Sequence, residues 1–196
     1  GSVIAGFGGH HMNLLSGLEK FGLEISEDMD IFEEDKPKTS ASTEAAGEKP
    51  DIPTEDMFFL EKGIRCPVCD KVFKTKMIKN GRVKRLESDK DLRPRHQYID
   101  TLKYDICSCP HCGYTAMTRF FPHITNVQSK LIKENICSKF HAQIEPEPAV
   151  YDYDRALERY KLSLFNTIVK KGKTSEKAYT CLKIAWLYRG KAETMD

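Results

Sequence analysis

Four cysteines stand in two pairs, Cys66-Pro67-Val68-Cys69 and Cys109-Pro110-His111-Cys112-Gly113. A tight turn carrying C-x-x-C sets two thiolates on one side of the backbone, where they act as soft metal ligands. Amides within the turn donate to the sulfurs and stabilise their negative charge. Gly113 suits such a turn because it tolerates a positive φ. Either pair alone is a weak signal. Two pairs separated by a hairpin-forming stretch predict one tetrahedral site. Its ligands are Cys66, Cys69, Cys109 and Cys112, with sulfur–zinc distances of about 2.3 Å. Iron in a rubredoxin-like shell of the same ligands is the chemical alternative. A closed four-thiolate shell leaves no position for water or substrate, so the expected Zn²⁺ is structural.

The remaining candidate groups point to less chemistry. Cys107 lies two residues before Cys109, on the same face of a strand; it could substitute as a ligand, but a fifth nearby cysteine more often packs as a small apolar residue. His111 sits inside the second turn and faces solvent. Cys137 and His141 are four apart on an expected helix, a spacing that suits a metal or a thiolate–base pair but has no third group nearby. Cys181, beside Leu182, is read as core. The sequence holds no phosphate loop, no H-E-x-x-H and no nucleophile elbow. A C-x-x-C can be a redox pair, but here each pair has the other as its partner. A non-catalytic protein is therefore expected, ahead of a thiol-redox or metal-dependent enzyme.

Charge is unevenly placed. The formal net charge is +2, with 40% hydrophobic and 31% charged residues, ordinary for a soluble globular chain. From Met12 to Lys62 there are fourteen acidic residues against five basic; from Lys71 to Arg95, ten basic against three acidic. Lys74, Lys76, Lys79, Arg82, Lys84, Arg85, Arg93 and Arg95 thus form a candidate nucleic-acid face, with Phe73 and Tyr98 available to stack on bases. The alternative is a solvated basic surface. No apolar run approaches the roughly 18–20 residues needed to span a bilayer. The cysteine pattern without a secretory segment fits a reducing cytoplasm.

These groups need elements to position them. Residues 1–11 read as a cloning remnant. Residues 12–27 read as a short amphipathic helix with Leu14, Leu18, Phe21 and Ile25 as its stripe. It is either a helix packed on its own domain or a motif for a protein partner. Residues 28–56, acidic and rich in Ala, Ser, Thr, Pro and Glu, read as a disordered linker. Residues 57–122 form the β part. Within it, Lys71–Leu86 alternates around Asn80-Gly81 and predicts a hairpin turning there. A short strand fits 103–108. Residues 123–196 are helical. The first helix runs from a Thr125 or Asn126 cap through Val127, Leu131, Ile136, Phe140 and Ile144, and Pro146 and Pro148 end it. The second covers about 150–170 with Tyr153, Leu157, Tyr160, Leu164 and Ile168 on one face, stopped by Gly172. The third starts near Thr174 with Ala178, Leu182, Ala185, Trp186 and Arg189. The last two read as an antiparallel hairpin, tetratricopeptide-like in its small-residue spacing or a plain cap on the β part.

The motifs C-P-V-C, D-K-D-L-R-P-R-H and Y-D-I-C-S-C-P-H-C-G-Y-T-A, then A-L-E-R-Y-K-L-S-L and K-A-Y-T-C-L-K-I-A-W-L-Y-R-G, resemble the bacterial family called domain of unknown function 2225. The resemblance runs from about Phe58 to Gly190. It implies a bacterial cytoplasmic protein and no particular activity; Cys107 departs from the pattern. The fold class expected is α+β: a small zinc-ribbon-like β module with two C-x-x-C knuckles, followed by a tetratricopeptide-like helical hairpin. The expected function is a zinc-binding interaction or regulatory module, a protein–protein adaptor, with nucleic-acid binding as the alternative.

Overall fold

A computed structural model describes residues 14–25 and 52–195. The expected remnant, the ends of the N-terminal motif and most of the linker lie outside the described residues. Strand β1 (Phe59–Arg65) pairs antiparallel with β2 (Val72–Ile78), Phe59 opposite Ile78 and Arg65 opposite Val72. β3 (Arg85–Leu86) pairs with β4 (Arg95–His96), and β5 (Ile106–Ser108) with β6 (Thr115–Met117). Helices α1 (Asn126–Ile132), α2 (Tyr153–Val169) and α3 (Thr174–Thr194) follow. Among the described residues the fold is mixed, three small antiparallel sheets with helices at the C-terminal end.

The hairpin expected at Asn80-Gly81 is corrected. A turn exists there, with Arg82 N–H donating to Lys79 O at 2.8 Å. Gly81 does not take a positive φ, and residues 82–86 do not return along β2. β1 supplies a seven-residue ladder to β2 instead. The hairpin therefore turns through residues 66–71, the first cysteine pair. Residues 55–58, partly assigned to the linker, form a 3-10 turn, and Glu55 accepts from the Tyr104 hydroxyl at 2.8 Å.

α1 begins with a capping box between Thr125 and Gln128. It continues only as a π turn, Lys133–Cys137. The helix expected through Ile144 stops there, and Ile144 is fully exposed. Leaving the helix lets Phe140 pack beneath Gly113 and lets His141 N–H bond Phe21 O at 2.8 Å.

α2 is the central element, packed on β5, β6, α1, α3 and the N-terminal segment. Asp152 caps it by accepting from Arg155 N–H at 2.7 Å. Its end is a Schellman turn, Gly172 N–H to Thr167 O and Lys171 N–H to Ile168 O. Lys171, not Gly172, takes the left-handed conformation, at φ 54°. Gly172 is required for room, since a Cβ there would lie 2.8 Å from Thr167.

The face α3 turns inward also differs from expectation. Of the residues expected there Trp186 is buried, but Ala178, Leu182, Ala185 and Arg189 are exposed, while Glu176, Thr180, Lys183, Ile184, Leu187 and Gly190 are buried. Polar residues disguise the inner face because each has a partner. Glu176 pairs with Lys170 at 2.7 Å, Lys183 pairs with Asp105, and Thr180 donates to Glu176 O. A brace formed by residues 89–100 holds the end of α3. Trp186 Nε1 donates to Asp91 at 2.9 Å, and Arg93 and Arg95 reach Glu193 at 3.1 and 2.8 Å. Arg189 beside Asp91 holds that carboxyl well below its usual range. Its contribution is present above the unfolded carboxylate range and is lost as pH falls toward the folded value.

The N-terminal segment folds as one 3-10 turn, Leu18–Phe21, and not as the helix expected over 12–27. Gly17 and Gly22 flank it at φ 92° and 79°. Gly22 also lies so close to Lys139 that a Cβ would sit 2.4 Å from its carbonyl oxygen. Leu15, Leu18, Phe21 and Leu23 are buried in the main core, and Leu14 and Ile25 pack partly against it. Phe21 stacks on Phe140 at 5.7 Å, and Lys20 pairs with Glu158.

Gly190 permits a close α2–α3 approach: a Cβ would meet the Tyr153 ring at 2.6 Å. Gly→Ala in a helix gains about 1 kcal/mol of propensity, whereas overpacking costs about 1–3 kcal/mol. Tyr153 cannot swing away freely, because its hydroxyl is tied to Asp100 at 2.8 Å. Gly190→Ala should therefore lower the urea midpoint; a raised midpoint would show that the ring yields.

Candidate metal centre

Each cysteine pair sits at a hairpin tip, the first between β1 and β2 and the second between β5 and β6. The two turns share one backbone pattern. Cys66 N–H bonds Lys71 O at 2.9 Å and Asp70 N–H bonds Cys66 O at 2.9 Å. Correspondingly, Cys109 N–H bonds Tyr114 O at 2.9 Å and Gly113 N–H bonds Cys109 O at 3.0 Å. The fifth residue of each turn is left-handed: Asp70 at φ 65° and Gly113 at φ 84°. An aspartate tolerates that conformation on the open surface. Gly113 has no such freedom, since a Cβ would stand 2.5 Å from the Phe140 ring.

The four Sγ atoms all lie within 4.8 Å of one another. Cys66 to Cys112 is 3.7 Å and Cys69 to Cys109 is 3.6 Å. A disulfide needs about 2.0 Å, so these are free thiols. A tetrahedron with arms of about 2.3 Å has edges of about 3.8 Å, close to both separations. Cys66, Cys109 and Cys112 are buried and Cys69 is half-buried. The cluster can hold a metal ion.

Crowding sulfur in this way couples the thiols. The bond with Cys109, and then burial, push Cys66 up to about 12. Cys112 rises well above the ordinary thiol range, first through Cys109. Cys109, accepting from Cys112 and Cys66, is pulled down to about 2. The crowding thus favours charge on Cys109 and opposes it on Cys66 and Cys112. Four thiolates together require a cation.

Cys107 is buried on β5, and its Sγ lies 3.8 Å from the Thr118 hydroxyl. Burial raises its thiol. Cys137, on the π turn, packs against the cluster within reach of Cys112 and is a neighbour that sequence spacing had paired instead with His141. His141 is exposed, as is His111. Cys181 is partly buried against the core.

The candidate basic face is divided. Lys76 is buried over the Phe59 and Tyr151 rings and pairs with Glu61 at 3.4 Å. Arg93 is 1% exposed, held by Asp100 and Glu193, and Arg95 bonds Asp89 and Glu193. Lys74, Arg82, Lys84 and Arg85 are exposed and Lys79 is half-exposed.

The architecture and site define a mixed α and β protein carrying a four-cysteine cluster at two hairpin tips. The sequence profile of a family described as uncharacterized protein conserved in bacteria (DUF2225) matches residues 59–196, and the chain belongs to that family. No curated protein and no solved structure matches it.

Gly113→Ala combines a left-handed backbone with a collision against Phe140. It should cost at least about 2 kcal/mol, read as a reduced urea midpoint. An unchanged midpoint would contradict the close approach.

Proposed function

We propose that the chain is a non-catalytic interaction module whose β part is a zinc-ribbon-like unit, two knuckles clasping one structural Zn²⁺. The observation that carries this reading is the four-sulfur cluster, with edges of 3.6 and 3.7 Å. Zinc takes four thiolates without a preferred distortion and needs no open position in such a shell. Iron in the same shell is the rival, and metal content separates the two. The free state of all seven cysteines supports a reducing bacterial cytoplasm. Among the described residues no helix is long and apolar enough to cross a membrane.

Adaptor function for a protein partner is supported by the outer face of α3, where Tyr179 and Leu182 are exposed beside Ala178 and Ala185. An apolar helix face of this kind is ordinarily covered by protein. The tetratricopeptide-like reading rests on the same α2–α3 hairpin. Nucleic-acid binding keeps a narrower support, the exposed Arg82, Lys84 and Arg85 near the half-exposed Tyr98. Binding there would be electrostatic and sequence-tolerant.

Elemental analysis of protein purified without added metal should return one zinc per chain, and Cys66→Ser with Cys109→Ser should abolish it. Iron at one equivalent, or a folded protein without metal, would overturn the zinc reading. Affinity capture from a bacterial extract, with and without nuclease, tests the partner class. A protein retained through nuclease treatment is expected; material lost entirely to nuclease would favour the basic patch.

A further inference from the structure

A cavity of about 340 Å³ opens between β2, the start of α2 and the irregular chain from 138 to 152. That volume falls within the range of small-molecule sites. Phe21, Pro110, Phe140 and Leu162 form its apolar wall. Arg155 and Arg159, one turn apart on α2, form its polar end.

Arg159 is only 9% exposed, and its guanidinium is fixed in two ways. Nη2 donates to Ile106 O at 2.7 Å, and the group lies 4.7 Å over the Tyr151 ring. Its Nε and that of Arg155 are buried and have no partner among the described residues. A buried guanidinium with an unused donor is costly unless something accepts from it. Arg155 Nη1 also donates to Glu158 at 3.0 Å, but the one carboxylate that both arginines share is held loosely. The Glu147 carboxylate stands 3.5 Å from Arg155 and 3.9 Å from Arg159, and also takes the Tyr151 hydroxyl. Glu147 is half-exposed, between Pro146 and Pro148 on a segment without regular structure. It occupies the arginine pair as an exchangeable carboxylate. Lys74, exposed on β2 across the cavity, has no ion-pair partner among the described residues.

We propose that this cavity binds a carboxylate carried on an apolar body, with Arg155 and Arg159 taking the carboxylate in place of Glu147 and the Phe21–Phe140 wall taking the body. The charge balance selects the class. Four glutamates on the wall match two lysines and two arginines, so a singly charged ligand that displaces the Glu147 carboxylate toward solvent leaves the lining balanced, whereas a phosphate brings surplus negative charge. The same chemistry belongs to a small aryl-alkyl acid and to the free C-terminus of a peptide ending in an aromatic residue. The ligand class proposed here does not rest on which metal the cysteines hold, although Pro110 and Phe140 tie the wall to the second turn.

The test is an amide-resolved NMR titration of the full chain with 3-phenylpropanoate, its neutral amide, Gly-Gly-Phe and inorganic phosphate. The carboxylate, the peptide or both should produce saturable shifts at Tyr151, Arg155 and Arg159, and the tighter of the two names the source. The neutral amide should bind at least about tenfold more weakly, the loss of a charge-assisted contact. Glu147→Gln removes the internal competitor and should tighten binding about fivefold, while Arg155→Gln should weaken it by about tenfold. Both positions are partly exposed, so circular dichroism should show an unchanged fold. Equal binding of acid and amide, tighter binding of phosphate, no saturation, or indifference to Glu147→Gln would each overturn the proposal.

Discussion

Convergence of four sulfurs from two hairpin tips is the constraint on which the rest of this structure depends. Among the described residues neither hairpin has a third strand, and isolated two-stranded sheets are marginal in water. What joins β1–β2 to β5–β6 is the cysteine cluster and the core that surrounds it. Cys66, Cys109 and Cys112 belong to the same buried cluster as Tyr114, Phe121, Ile132, Ile136 and the inner face of α2. The four cysteines and the apolar core are therefore one assembly. A cation at the centre, as proposed, would turn mutually unfavourable ionisations into bonds, and its binding energy would become folding energy.

The same assembly explains features remote from the sulfurs. Gly113 must lack a side chain because Phe140 lies beneath the second turn. Phe140 is there because the chain leaves α1 through the π turn, and the freed residues then receive Phe21. The N-terminal segment thus closes over the cluster's flank by apolar packing and a backbone hydrogen bond through His141. At the other end, three of the eight basic residues that composition alone would send to a phosphate backbone are spent within the fold. Arg93 and Arg95 clamp α3 through Glu193, and Lys76 is sealed under aromatic rings.

The cysteine cluster was legible because ligand chemistry imposes both residue type and spacing. The positive φ of Gly113 followed from the same turn. Its counterpart Asp70 did not, since aspartate in the left-handed region leaves no compositional mark. The strand at 72–78 was readable from alternation, but its partner was not. Asn80-Gly81 is a strong local turn signal and a turn forms there, but the ladder on β2 comes from β1 and not from residues 82–86. Helices α2 and α3 were clear as elements. The inner face of α3 was not, because Glu176, Thr180 and Lys183 are buried with partners that only the assembled fold supplies. Leu18 and Phe21 were legible as apolar anchors, yet the glycines beside them shorten the expected helix to a single turn. The Arg155–Arg159 cavity had no signature at all, being built from segments distant in the chain.

Residue-resolved amide exchange before and after removal of metal by a strong chelator tests the central claim most directly. If the cation holds the two tips together, protection should vanish across β1, β2, β5 and β6 once the metal is gone, with α2 and α3 retaining more of theirs. Protection in both hairpins unchanged after verified metal loss would contradict the account, because the apolar core alone would then hold the sulfurs in place.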